Sequence, residues 1–112
     1  MNFSESLKKN TDFRKVYHGG HSKANKYLVI YIRKNGTDKN RVGIYVSKKE
    51  GNSIVRHRLT RLIRESYRLN EEKVARGYDM VVIARSAAKG KNYHDIESAF
   101  LHLGSLHGII ES

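Results

Sequence analysis

The chain has 112 residues, enough for one compact domain with a modest core and too few for two independent ones, so residues 1–112 are expected to form a single domain. Its 22 Lys and Arg against 11 Asp and Glu give a formal net charge of +11, the electrostatic footprint of a nucleic-acid binder. The absence of cysteine excludes disulfides and thiolate metal sites, and no apolar run approaches the roughly 18 residues that span a membrane.

Asn10 or Thr11 is placed to cap a short first helix on which Phe13, Val16 and Tyr17 share one side, and Gly19-Gly20 stops it. From Lys26 the period changes to two. Leu28, Ile30 and Ile32 alternate with Tyr27, Val29, Tyr31 and Arg33, which predicts a strand with one aliphatic face and one aromatic and basic face. Asn35-Gly36-Thr37-Asp38 reads as a turn, after which Val42, Ile44 and Val46 alternate with Arg41, Gly43, Tyr45 and Ser47. These two strands are expected to pair antiparallel.

A helix follows, opening near Gly51 to Ser53, where Asn52 or Ser53 can cap the first turn and free backbone N–H groups can face an anion. At 100° per residue, His57, Arg61, Arg64 and Arg68 fall within an arc of roughly 60°, while Val55, Leu59, Leu62, Ser66 and Leu69 cluster on another face. Solvated helix faces usually mix signs so that residues three or four apart attract, whereas this stripe repels itself. Its natural complement is a row of phosphates. Beyond Gly77, the run Tyr78-Asp79-Met80-Val81-Val82-Ile83-Ala84 shows no alternation, as expected of a strand covered on both faces in the sheet's interior. Ile96, Ala99, Phe100 and Leu103 then mark a last amphipathic helix ending near Gly104 or Gly108. The order α-β-β(-β)-α-β-α predicts an α+β fold with a single small mixed sheet packed with helices, and strand-helix-strand implies one parallel pair.

Candidate chemistry is sparse. His18 and His21 form the tightest histidine pair, but glycines lie between them and no third ligand stands nearby, so no metal is expected on the protein. The acids are scattered, with only Glu71-Glu72 adjacent, and no nucleophile with its base is evident, so no catalytic residue is assigned. His57, set among arginines, reads as a hydrogen-bond donor to RNA. Tyr31 and Tyr45, on strand faces opposite the aliphatic ones, would offer stacking platforms for unpaired bases, with ordinary edge packing as the alternative.

Arg41-Val42-Gly43-Ile44, Val46-Ser47-Lys48-Lys49, Gly51-Asn52, Arg56-His57-Arg58 and Arg61-Leu62-Ile63-Arg64-Glu65 together resemble the bacterial ribonuclease P protein subunit. Upstream, Asp12-Phe13 with Val16-Tyr17 and Gly20 is similar to the family's first helix; downstream, Tyr78 to Arg85 is similar to its last strand. The resemblance implies the small, noncatalytic partner of a catalytic RNA that removes the 5′ leader of precursor tRNA by metal-assisted hydrolysis, with Mg2+ held by the RNA and no cofactor on the protein. It further implies an RNA-subunit surface formed or flanked by Lys48, Lys49, Asn52, Arg56, His57, Arg58, Arg61, Arg64 and Arg68. A leader-binding cleft would be lined by Phe13, Tyr17 and Tyr31, and the strands flanking the basic helix would be joined by a left-handed crossover. Two departures stand out: His57 where the family usually has asparagine, and Thr60 where a basic residue usually precedes Arg61. The expected partners are the catalytic RNA and precursor tRNA, with no membrane and no obligate protein partner, in the cytoplasm. A ribosomal or other structural RNA-binding protein and a self-sufficient ribonuclease are the alternatives.

Overall fold

A computed structural model describes residues 2–111; Met1 and Ser112, the outermost residues of the expected domain, lie outside the described residues. In chain order the elements are β1 (Ser4–Ser6), α1 (Asn10–Gly19), β2 (His21–Ala24), β3 (Leu28–Lys34), β4 (Asn40–Tyr45), α2 (Ser53–Asn70), β5 (Tyr78–Ala84) and α3 (Tyr93–Leu106). Short 3-10 turns at Lys48–Glu50, Glu71–Lys73 and Ser86–Ala88 join them. Among the described residues this is the α+β architecture expected, with one mixed five-stranded sheet and three α-helices.

The strands lie in the order β1-β4-β5-β3-β2. β4 and β5 are parallel, as a strand-helix-strand unit demands, and β5 occupies the centre. The expected antiparallel pairing of β3 with β4 does not occur: β5 inserts between them, antiparallel to β3 from Leu28↔Ala84 to Lys34↔Tyr78. The reason is burial. Val81 and Val82 are both wholly buried, and only a central position covers both faces and both edges of so apolar a strand. The turn after β3 bridges over the start of β5 and is pinned to it. The Asn35 backbone N–H donates to the Gly77 carbonyl at 2.9 Å, and Asn35 Nδ2 donates to Asp79 Oδ1 at 3.0 Å.

The edge strands β1 and β2 carry no apolar alternation; β2 is exposed at every residue, so periodicity had nothing to register. β4 stops at Tyr45, two residues short of the predicted alternation. α1 begins one residue earlier than a cap at Asn10, and two earlier than a cap at Thr11, would place it, with Lys9 in the capping position and no side-chain cap bond. Its end is as read. A Cβ at Gly20 would lie 2.4 Å from the Ile32 carbonyl oxygen, so glycine alone fits where α1 turns into β2.

One face of the sheet, formed by Leu28, Ile30, Ile32, Val42, Met80 and Val82, packs against Leu59, Ile63 and Tyr67 of α2 and Ile96, Phe100 and Leu103 of α3. Each fully buried side chain of this size stabilises the fold by roughly 1.5–3 kcal/mol. The buried face of α2 is Leu59, Ile63, Ser66, Tyr67 and Asn70, a recurrence at four and three residues. The predicted apolar face was therefore rotated. Leu69 is 55% exposed, because it sits about 100° from Asn70 and clear of the sheet, and Val55 is only half-buried. On the sheet's other face α1 alone forms a smaller core from Leu7, Val16 and Val81, with Phe13, Tyr17, Tyr31 and Ile83 packed against it. α3 ends at Leu106, just before Gly108, while Gly104 lies inside the helix against Ile110.

Candidate nucleic-acid interface

α2 starts where the sequence indicated: Asn52 caps it, its Oδ1 accepting from the Val55 backbone N–H at 3.0 Å. That bond commits the Asn52 oxygen to the helix and leaves only its amide nitrogen for a ligand. Lys48 and Lys49 sit exposed on the 3-10 turn just before it. Along α2, His57, Arg61 and Arg64 are exposed on one side and, among the described residues, have no carboxylate within ion-pair distance. Arg68 differs. It is bound by Glu65, whose carboxyl is held below its ordinary range first by the Arg68 hydrogen bond and then by the charges of Arg68 and Arg61. The stripe is thus continuous over His57, Arg61 and Arg64 and partly neutralised at its end.

Arg58 flanks the stripe and is tethered, its guanidinium donating to the Lys91 carbonyl at 2.9 Å. Arg56 turns the other way. It lies about 100° from His57 on the flank that carries Tyr67, half-buried, with its Nε enclosed and without a partner. Thr60 folds its hydroxyl back onto the Arg56 carbonyl at 2.9 Å, so its one proton is spent within the helix and it offers no donor in place of the missing charge.

The three residues expected in a cleft do come together, on the α1 face of the sheet. Tyr17 and Tyr31 meet edge to face with ring centroids 5.0 Å apart, and Phe13 lies 6.4 Å from Tyr17. Phe13 is seated over Gly43: a Cβ there would fall 2.6 Å from its ring, so the strand must be bare at that point. Burial, and then the neighbouring phenols of Tyr31 and Tyr45, push the Tyr17 hydroxyl up from its ordinary value, which keeps it a neutral hydrogen-bond donor. A depression of about 440 Å³ opens beside these rings, lined by Asn10, Phe13, Arg14, Tyr17 and Tyr45. Across Tyr45 a second hollow of about 490 Å³ lies beyond the carboxyl ends of the parallel strands β4 and β5, with Lys26, Lys49 and Arg85 on its walls. Ligands of α/β sheets gather at such strand ends.

Arg14, Lys26 and Arg85 were not singled out from the sequence. Arg14 was legible in principle, next to Phe13 and three before Tyr17; Lys26 and Arg85 meet only because β3 runs antiparallel to β5. Arg41 ties α1 to the sheet: it donates from Nε and Nη2 to Asp79 at 2.9 and 2.6 Å and approaches Asp12 of α1 at 3.5 Å. Burial alone would raise the Asp79 carboxyl, but hydrogen bonds from Arg41 and Asn35 overcome it and hold it below its usual range. Among the described residues no three His, Cys, Asp or Glu side chains gather as metal ligands, and no helix is long and apolar enough to cross a membrane.

The family model for ribonuclease P matches residues 1–105. The chain belongs to the ribonuclease P protein family. It is 59% identical over 109 residues to the ribonuclease P protein component of Lachnoclostridium phytofermentans, covering 97% of this chain and 94% of that one. The solved structure of the Staphylococcus aureus RNase P protein matches with a TM-score of 0.87 at 36% identity, over 95% of this chain and 97% of that one. The Thermotoga maritima RNase P protein matches with a TM-score of 0.82 at 33% identity, over 89% and 96%. As a ribonuclease P protein component, the chain is a subunit of an endoribonuclease of tRNA processing and has an RNA partner.

Proposed function

We propose that this subunit binds the catalytic RNA of ribonuclease P through the outer side of α2 and grips the single-stranded 5′ leader of precursor tRNA along the α1 face of the sheet. The observation that carries the reading is that one small sheet bears two different surfaces, one on the outside of α2 and one on the opposite, α1 face. Arg61 and Arg64, aligned with His57 and without an ion pair among the described residues, form a stripe suited to a folded phosphate backbone, while Phe13, Tyr17 and Tyr31 form a cluster of rings suited to unpaired bases. Lys49 and Arg85, at the strand ends beyond Tyr45, extend the ring surface with phosphate-binding groups. Magnesium belongs to the RNA in this scheme, and the protein's part is to lower repulsion between RNA strands and to hold the leader while RNA-bound metal acts. A cytoplasmic site of action follows from that role.

The test compares binding of precursor tRNA and mature tRNA to the reconstituted holoenzyme. Tyr31→Ala is expected to weaken precursor binding by about 1–3 kcal/mol, the worth of one stacked base, and to leave mature tRNA binding unchanged. Equal losses for both substrates would remove Tyr31 from the leader site. Cleavage by the protein without its RNA would instead favour a self-sufficient ribonuclease.

A further inference from the structure

The side of α2 between the cationic stripe and α3 carries an apolar groove that phosphate binding does not explain. Ile54 is 78% exposed at its head, and Leu62, two turns on, is half-buried at its far end. Between them lies Arg58, so Ile54, Arg58 and Leu62 form one row at spacings of four residues, with His57, Arg61 and Glu65 along the sides. The groove measures about 360 Å³. An aliphatic side chain as exposed as Ile54, in the midst of cations, gains nothing from a phosphate oxygen and stabilises nothing in the free fold.

We infer that this groove receives an unpaired nucleobase of the RNA subunit, which packs its face on Ile54, Arg58 and Leu62. The inference rests on the proposed binding of the catalytic RNA by α2, and it adds a base contact to what would otherwise be a purely ionic surface. Three features favour a base over a phosphate or a protein side chain. The Arg58 guanidinium is held by its bond to the Lys91 carbonyl, so a planar cationic surface is preset rather than swinging in solvent. Glu65 stands at the Leu62 end, where its pairing with Arg68 through Oε1 leaves no net positive charge for a phosphate and keeps Oε2 to accept a hydrogen bond from a base amine. The cations on both sides draw the polyanion whose bases would fill the groove, and they oppose a second copy of this +11 chain.

Affinity of the protein for its RNA subunit, measured across a series of salt concentrations, separates base packing from phosphate contact. Ile54→Ala is expected to weaken binding about tenfold at every salt concentration, leaving the slope of log affinity on log salt unchanged, because a lost apolar contact releases no counterion. Arg61→Ala in the same series is expected to reduce the magnitude of that slope by about one unit. The melting temperature of the free Ile54→Ala protein should match that of the parent, since the side chain is exposed. Chemical probing of the RNA bases should show at least one base protected by the parent protein and reactive again with Ile54→Ala. Unchanged affinity, a changed slope, or protection that persists with Ile54→Ala would overturn the inference, while a reduced slope for Arg61→Ala would leave the α2 interface itself standing. If Arg61→Ala also left the slope unchanged, the proposed RNA interface would fail with it. Self-association abolished by Ile54→Ala, with RNA affinity intact, would assign the groove to a second copy and overturn the base.

Discussion

The two faces of the sheet come from the same strands and are finished differently. Toward α2 and α3, helices of 18 and 14 residues seal a continuous core in which Leu28, Ile30, Met80, Val82, Phe100 and Leu103 are wholly buried. Toward α1, one helix of 10 residues covers Val16 and Val81 and leaves Phe13, Tyr17 and Tyr31 half-buried and Tyr45 at 49% exposure. Coverage by two helices produces stability, and coverage by one produces a surface that still has rings to offer. Arg41, joined to both Asp79 and Asp12, lets the open face keep its geometry without being filled.

That contrast can be broken most forcefully in the sealed core. Phe100→Ala is expected to cost about 3–5 kcal/mol in urea denaturation, and Phe13→Ala markedly less because its ring is already half exposed. Similar losses at the two positions would erase the distinction between the faces. A second substitution attacks the open face from beneath: Gly43→Val should displace the Phe13 ring, costing about 1–3 kcal/mol of stability through overpacking. Precursor tRNA affinity should fall with it while mature tRNA affinity holds, and retained precursor binding would place the leader elsewhere.

Acid should loosen the fold at two carboxylates, Asp79, which anchors the open face through Arg41, and Glu71, which ties the N-terminal segment to the end of α2. Burial works to raise both Asp79 and Glu71, yet Arg41 and Asn35 lower the first, and Ser4 with the backbone N–H groups of Asn2 and Phe3 lowers the second. Groups whose folded values are depressed contribute stability that is fully present above the ordinary carboxylate values of 3.8 and 4.5 and is lost as pH falls through the depressed ones. Stability measured from pH 6 downward should therefore decline below about pH 4.5, and Asp79→Asn should flatten part of that decline. The smallest effect lies on α2, where Arg64→Ala should reduce the salt slope of RNA binding by about one unit and Arg68→Ala by less, since Glu65 already holds Arg68. Equal slopes would mean that RNA displaces the Glu65 pair.

Much of the site was legible because helices declare their faces. The spacing of His57, Arg61 and Arg64 needs only 100° per residue to become a stripe, and a cap at Asn52 or Ser53 is readable from their chemistry, with the structure choosing Asn52. The same arithmetic misplaced Leu69 and could not foresee that Arg56 turns inward, because which side of α2 faces the sheet is settled by the fit of Ile63 and Tyr67 against it. Strands are less explicit. Alternation identified β3 and β4 and assigned Tyr31 to the face away from the core, but it carries no record of neighbours, so the pairing of β3 with β4 was misread.

The amino-acid order by itself determined the basic helix, the doubly covered strand, the aliphatic and aromatic faces of β3, and the family, since each is written in local spacing or in contiguous motifs. Only the tertiary structure decided that β5 separates β3 from β4, that Phe13 rests on Gly43, and that Lys26, Lys49 and Arg85 share one hollow. Those arrangements depend on which buried surfaces fit together across long stretches of chain, and the free energy of that fit is not carried by any local run of residues.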